Sequence, residues 1–333
     1  MTLNSPTLLR RLIYATVLGM VIYAAFALAT DAGDIVAHIG RIPGYVVAVA
    51  CLLSVLNYGL RFLRWHGYLR LLGLEVPRGR SLVVFLAGLL MAISPGKFGE
   101  VIKSALLKRS DELPIARTAP IVFAERLTDL LGLFVLATFG IITFQYGVVA
   151  FTIALLSVIA LVAFLQFRAA VNVVLDMLER LPLLGAHRAS LDRAYEATRE
   201  LLAWRPLTGA TILATLSWSM EALAFAWILV HLGASGPLLL EAFFIFSTST
   251  LAGALSFFPG GLGITEAGMA GMLVWLEIFS EAGPALAATY MIRFTTLWFG
   301  VIVGLLSFLL YEWHQRRGAD NESTVDPGGE SKT

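Results

Sequence analysis

Charge is scarce in this chain. Only 14% of its residues are Asp, Glu, Lys or Arg, against about 25% in soluble domains. That shortage excludes an ordinary water-soluble fold, because 58% of the residues are hydrophobic and mean hydropathy reaches +0.81. Cysteine is nearly absent. Cys51 stands alone inside an apolar run, so neither a disulfide framework nor a cysteine metal site is available. The five histidines are scattered, mostly near expected loops or span ends, and a metal site is not expected. There is no nucleophile elbow, phosphate-binding lysine loop or HExxH motif, so the expectation is a protein that is not an enzyme and needs no cofactor. Nothing points to nucleic-acid binding.

What is present in abundance is long apolar runs. Six stretches are long enough to cross a bilayer: 12–30, 43–63, 117–144, 147–167, 206–232 and 285–311. Arg10 and Arg11 precede the first, and Ala27-Leu28-Ala29 has the small-x-small form of a signal-peptidase site. Its apolar part exceeds the usual core of about 7–15 residues, so a retained first helix is expected. Two further segments, 81–107 and 238–276, are broken by glycine and proline. The sequence thus predicts an all-α polytopic membrane protein with about six full spans plus two interrupted ones. Residues 1–313 form one transmembrane domain. Within it, 168–205 is a linker of one or two amphipathic helices at the interface. Residues 314–333 form a cytoplasmic tail, polar and disordered from Gly318.

Cytoplasmic loops carry the excess of lysine and arginine, which sets orientation. Arg10 and Arg11 put the N-terminus inside, and the loop 31–43 outside. Arg64, Arg70, Arg78 and Arg80 precede the first broken segment; Lys108, Arg109 and Arg117 follow it. Basic clusters at both ends predict a segment that enters and leaves by the cytoplasmic face. The second broken segment lies between an uncharged turn and Glu277 and Glu281, so it re-enters from outside. Arg316 and Arg317 return the C-terminus to the cytoplasm of a cell-membrane protein. Two hairpins from opposite faces are what an inverted repeat produces.

The breaks themselves read Ser94-Pro95-Gly96-Lys97-Phe98-Gly99-Glu100 and Phe258-Pro259-Gly260-Gly261-Leu262-Gly263-Ile264-Thr265-Glu266. Pro95, Gly96, Gly99, Pro259, Gly260 and Gly263 are the candidate hinge positions. Proline removes a backbone donor and glycine allows positive φ, so each break ends one half-helix and starts another. A new half-helix presents free amides and the positive end of its dipole to an anion.

Ionisable residues at membrane depth are expensive and default to functional candidates. Lys97, Glu100 and Lys103 lie at the first break and Glu266 follows the second. Glu125, Arg126 and Asp129 cluster on one predicted helix, and Arg293 stands alone in the last span. Lys97, Arg126 and Arg293 are suited to a phosphate. Arg61 and Arg64 fit either snorkelling or a site, and Glu221, near Trp218, fits a structural hydrogen bond. Gly300 and Gly304 form a small-xxx-small packing pair.

Taken together, Asn57 to Trp65, Ser94 to Lys103, Glu125 to Asp129 and Phe258 to Glu266 resemble the lysylphosphatidylglycerol synthase transmembrane-region family. That family includes the flippase portion of the multiple peptide resistance factor and stand-alone flippase-like proteins. The resemblance implies transfer of a polar lipid between leaflets, and implies Arg61, Lys97, Glu100, Lys103, Glu125, Arg126, Asp129 and Glu266 as cavity residues; Arg293 joins them on depth and charge. The implied partners are membrane lipids, anionic or zwitterionic phospholipids or polyprenyl-phosphate lipids, with a homo-oligomer possible. A soluble aminoacyl-transfer domain is not expected in this sequence, so aminoacylated and isoprenoid-linked cargo both stay open. The alternative is a secondary transporter of a small soluble solute coupled to protons or cations. A lipid-modifying enzyme ranks last for want of a nucleophile or metal set.

Overall fold

A computed structural model of the chain describes residues 32–94, 99–144, 148–179, 188–234, 236 and 238–325. The expected first span, the hinge residues Pro95 and Gly96, Lys97, and residues 326–333 lie outside the described residues.

The elements among the described residues are helical. In α1 (Ala32–Gly40) the chain coils where the sequence predicts only a loop; Ile35 supplies the reason, packing on Ala287 and Tyr290. Pro43 and Pro77, both extended, cap the starts of α2 (Gly44–Leu71) and α3 (Arg78–Gly88). Proline there ends nothing and removes a donor that the first turn does not need. α2 runs well past the predicted end at 63 and stops where Gly73 takes φ 65 and donates to the Arg70 carbonyl.

There follow α4 (Ile102–Asp111), α5 (Ile115–Phe144), α6 (Val148–Gln166), α7 (Arg168–Glu179), α8 (Arg188–Leu201), α9 (Trp204–His231), α10 (Leu238–Leu255) and α11 (Ile264–Trp275). α12 (Ala282–Arg293) continues through a π turn, Phe294–Trp298, into α13 (Phe299–Val325). An established helix propagates through polar residues at small cost, so 318–325 is helical where composition predicts disorder.

Five helical stretches among the described residues are long and apolar enough to cross a membrane: Gly44–Leu71, Val148–Gln166, Trp204–His231, Leu238–Leu255 and Ala282–Gln315. Four answer to predicted spans. The fifth, α10, is the first arm of the second broken segment. α5, predicted as the third span, has 30 residues but carries Arg117, Glu125, Arg126 and Asp129 and is not among the five.

Both broken segments are helical hairpins. α3 and a 3₁₀ turn (Leu89–Ile93) lead into the first break, and α4 returns with Lys103 packed on Gly88. α10 and α11 pair in the same way, Thr265 meeting Gly253 and Ser249 meeting Gly268. At 1.5 Å per residue the return arms α4 (10 residues) and α11 (12 residues) are about 15 and 18 Å long. A hydrocarbon layer is about 30 Å thick, so neither return arm spans it. The hairpin tips meet: a Cβ on Gly260 would lie 3.4 Å from the Cα of Ile93. α13 packs so closely on the first hairpin that a Cβ at Gly304 would strike the Leu90 backbone. The expected packing role of that glycine is therefore met.

α7 and α8 form the amphipathic pair of the linker. Val171, Leu175 and Tyr195 close their shared face, and Arg188 bridges Asp176, Glu179 and Asp192.

Candidate functional site

The first break delivers its charges to one place. Ser94 holds its two sides together, its hydroxyl donating to the Met91 carbonyl and accepting from the Gly99 amide at 2.8 Å. The chain then turns as 3₁₀ backbone through Gly99–Val101 into α4, which sets Glu100 and Lys103 three residues apart on one face. Their side chains pair at 3.4 Å. Glu125, Arg126 and Asp129 arrive from α5, and Arg61 and Arg64 from α2. Lys103, fully buried, donates to Glu125 Oε2 and stands 4.4 Å above the Trp65 ring. Arg126 lies 3.1 Å from both Glu100 Oε2 and Asp129 Oδ2. Arg64 reaches Asp129 at 2.6 Å and the Thr128 hydroxyl at 3.1 Å. Arg61 lies 3.8 Å from Glu100, an ion pair too long for a hydrogen bond.

Burial makes this network matter. Arg64, Glu100 and Glu125 are 2%, 2% and 0% exposed, and a charge in low dielectric persists only when paired. Neither Nε nor Nη2 of Arg61, nor Nε of Arg126, has a hydrogen-bond partner among the described residues.

The second break is organised around an arginine from a distant helix. Gly260, Gly261 and Gly263 take φ of 61, 67 and 85, a region that L side chains enter only with strain. Glu266 reaches back to the Gly263 amide at 2.7 Å through Oε2, and its Oε1 accepts from Arg293 Nε at 2.6 Å. Arg293 Nη2 also donates to the Gly260 carbonyl at 2.7 Å. One guanidinium therefore fastens both the tip and the capping carboxylate. The π turn that follows Arg293 frees backbone carbonyls. Those of Thr295 and Thr296 accept from the hydroxyls of Ser54 and Tyr58 on α2, at 2.8 and 3.0 Å. Such turns recur at functional sites.

Between the two breaks lies a cavity of about 370 Å³, at the small end of the range for ligand pockets. Arg61, Arg126, Asp129, Glu221 and Arg293 form part of its wall. The remainder is largely apolar. Val101, Phe123, Leu161, Leu255, Phe257 and Phe258 line the same cavity and are also exposed on the molecular surface, Phe257 to 61%. Large apolar side chains exposed in this way suit contact with hydrocarbon rather than water.

The structure thus brings Arg61, Glu100, Lys103, Glu125, Arg126 and Asp129 into one network and sets Glu266 and Arg293 apart as a clamp. Snorkelling of Arg61 and Arg64 is ruled out, since α2 continues beyond them and both are buried. The signal for Arg64 was its spacing: it lies one turn from Arg61 and shares its face. Glu221 stands in the cavity wall. The π turn, Tyr58 and the pairing of Arg293 with Glu266 leave no mark in the sequence, because they are set by contacts between helices far apart in the chain. Among the described residues no group of histidine, cysteine and carboxylate is arranged to hold a metal.

No curated protein matches the chain. A family model does, over residues 12–304, and that range takes in both breaks, the charged network and the clamp: the chain belongs to the family described as "Lysylphosphatidylglycerol synthase TM region".

Proposed function

We propose that the protein is a lipid flippase, carrying the phosphate-bearing headgroup of a membrane lipid through the cavity between the hairpins while the acyl chains stay in the bilayer. The observation that carries this reading is the combination of charged wall and apolar rim. Arg61, Arg126 and Arg293 offer guanidinium donors that match a phosphate. The exposed Phe123, Phe257 and Phe258 give the cavity an edge that lipid can cover. A cavity of about 370 Å³ suits a headgroup and leaves the chains outside.

In this reading the protein sits in the cell membrane with both termini cytoplasmic. The first hairpin enters from the cytoplasm and the second from outside, as an inverted repeat. Rocking of one hairpin and its partner helices against the other exposes the cavity to each leaflet in turn. A carrier of a small soluble solute needs a site walled off from lipid, and the aromatic rim argues against one. Aminoacylated and isoprenoid-linked phospholipids remain cargo candidates.

The test is transfer of fluorescent phosphatidylglycerol between leaflets of reconstituted vesicles. Wild-type protein is expected to accelerate it, and Glu100→Ala or Arg126→Ala to abolish it in protein that still purifies as a folded species. Normal transfer by both folded variants would remove those residues from the pathway.

A further inference from the structure

Resting on the lipid reading, we propose that Glu100 is an internal counter-anion that competes with the ligand's phosphate for Arg61 and Arg126, so that binding loosens the first hairpin. Three observations meet here. Arg61 and Arg126 both line the cavity, whereas Glu100, 2% exposed, is not part of its lining and lies 3.8 and 3.1 Å from the two arginines. Its contact with Arg61, at 3.8 Å, compensates charge without a hydrogen bond. The two guanidiniums keep three buried N–H groups, Nε and Nη2 of Arg61 and Nε of Arg126, with no partner among the described residues. Buried donors left unmade are costly.

A phosphodiester in the cavity that draws the two guanidiniums round toward it satisfies those donors with charge-assisted hydrogen bonds. It also takes over the compensation of charge that Glu100 supplies. Glu100 keeps its ion pair with Lys103, its neighbour on the same hairpin at 3.4 Å. The exchange acts on movable parts, because Glu100 belongs to the hairpin while Arg61 and Arg126 belong to α2 and α5. With phosphate bound, the remaining charged link from hairpin to α5 described above is Lys103 to Glu125. Headgroup capture and release of the hairpin become a single exchange of ion-pair partners. Linkage makes the coupling reciprocal: whatever strengthens the hold of Glu100 on the arginines weakens the ligand.

This assigns Glu100 a role opposite in sign to a binding contact. Isothermal titration calorimetry on detergent-solubilised protein separates the two, with short-chain phosphatidylglycerol, the matching neutral diacylglycerol and inorganic phosphate as probes. Removing the competing carboxylate takes one anion from each arginine while Asp129 stays 3.1 Å from Arg126. Glu100→Gln is therefore expected to bind phosphatidylglycerol about tenfold more tightly, with diacylglycerol unchanged and vesicle transfer slowed. Weaker or unaltered binding of phosphatidylglycerol overturns the proposal, as does equal tightening of the neutral lipid. If inorganic phosphate alone gains affinity, the competition stands for a soluble anion and the lipid reading fails. Should Glu100→Gln not fold, Glu100→Asp draws the carboxylate back from the arginines by one methylene. It is expected to tighten phosphatidylglycerol by a smaller factor; a loss of affinity overturns the proposal.

Discussion

Arg64 and Asp129 show what a buried ion pair does in this molecule. Arg64 is 2% exposed and Asp129 4%. Their contact at 2.6 Å is shared with Arg126 and Thr128. Removing one partner leaves a charge with nowhere to go, a cost of about 3–5 kcal/mol, whereas replacing both by apolar groups is often tolerated. Arg64→Met is accordingly expected to lower the thermal-unfolding midpoint in detergent by several degrees. Arg64→Met combined with Asp129→Leu is expected to lose less than Arg64→Met alone. A double variant less stable than the single one would show that Asp129 is held mainly by Arg126. Glu100, Glu125 and Arg126 were legible as residues, because charge inside an apolar segment is conspicuous. Their pairing was not, since each carboxylate had several cations within reach by sequence.

At the level of the element, the two hairpins resemble each other in outline but are fastened differently. A serine bridges the first break from within, Ser94 to Met91 and Gly99. The second is fastened from outside, by Arg293 on Glu266 and Gly260. From sequence the second break has no cation nearby. The structure corrects this, because α12 packs on α11 and carries Arg293 to it. Gly260 at φ 61 and Gly73 at φ 65 provide a matched test. An alanine at either position costs about 1–2 kcal/mol of backbone strain. Gly73 follows the end of α2 with nothing within 4 Å of a Cβ placed there, so Gly73→Ala is expected to leave lipid transfer intact. Gly260→Ala displaces the carbonyl that Arg293 grips and is expected to cut transfer several-fold. Equal effects of the two would mean that the tip matters only for folding.

For the whole molecule the decisive question is which way each hairpin enters. The tips meet at Ile93 and Gly260, and the return arms α4 and α11 are each too short to cross alone. The proposed inverted repeat puts their bases on opposite sides, as loop charge predicts. In a Cys51→Ser background, a single cysteine at exposed Glu75 is expected to react with an impermeant maleimide only after the membrane is opened. One at exposed Glu281 is expected to react in intact cells. Labelling of both from the same face would rule out the opposed arrangement and with it the inverted repeat.

Long apolar runs interrupted by proline and glycine are local properties of a chain. Helical class, membrane residence, the positions of the breaks and the identity of the buried charges could all be read from such runs, since bilayer thickness and backbone sterics act on short stretches. Only the folded molecule could say which charges neutralise one another. Arg293 and Glu266 are 27 residues apart, and Tyr58 and the Thr296 carbonyl 238 apart. In low dielectric, pairing is set by distances of a few ångströms, and helix packing alone establishes those.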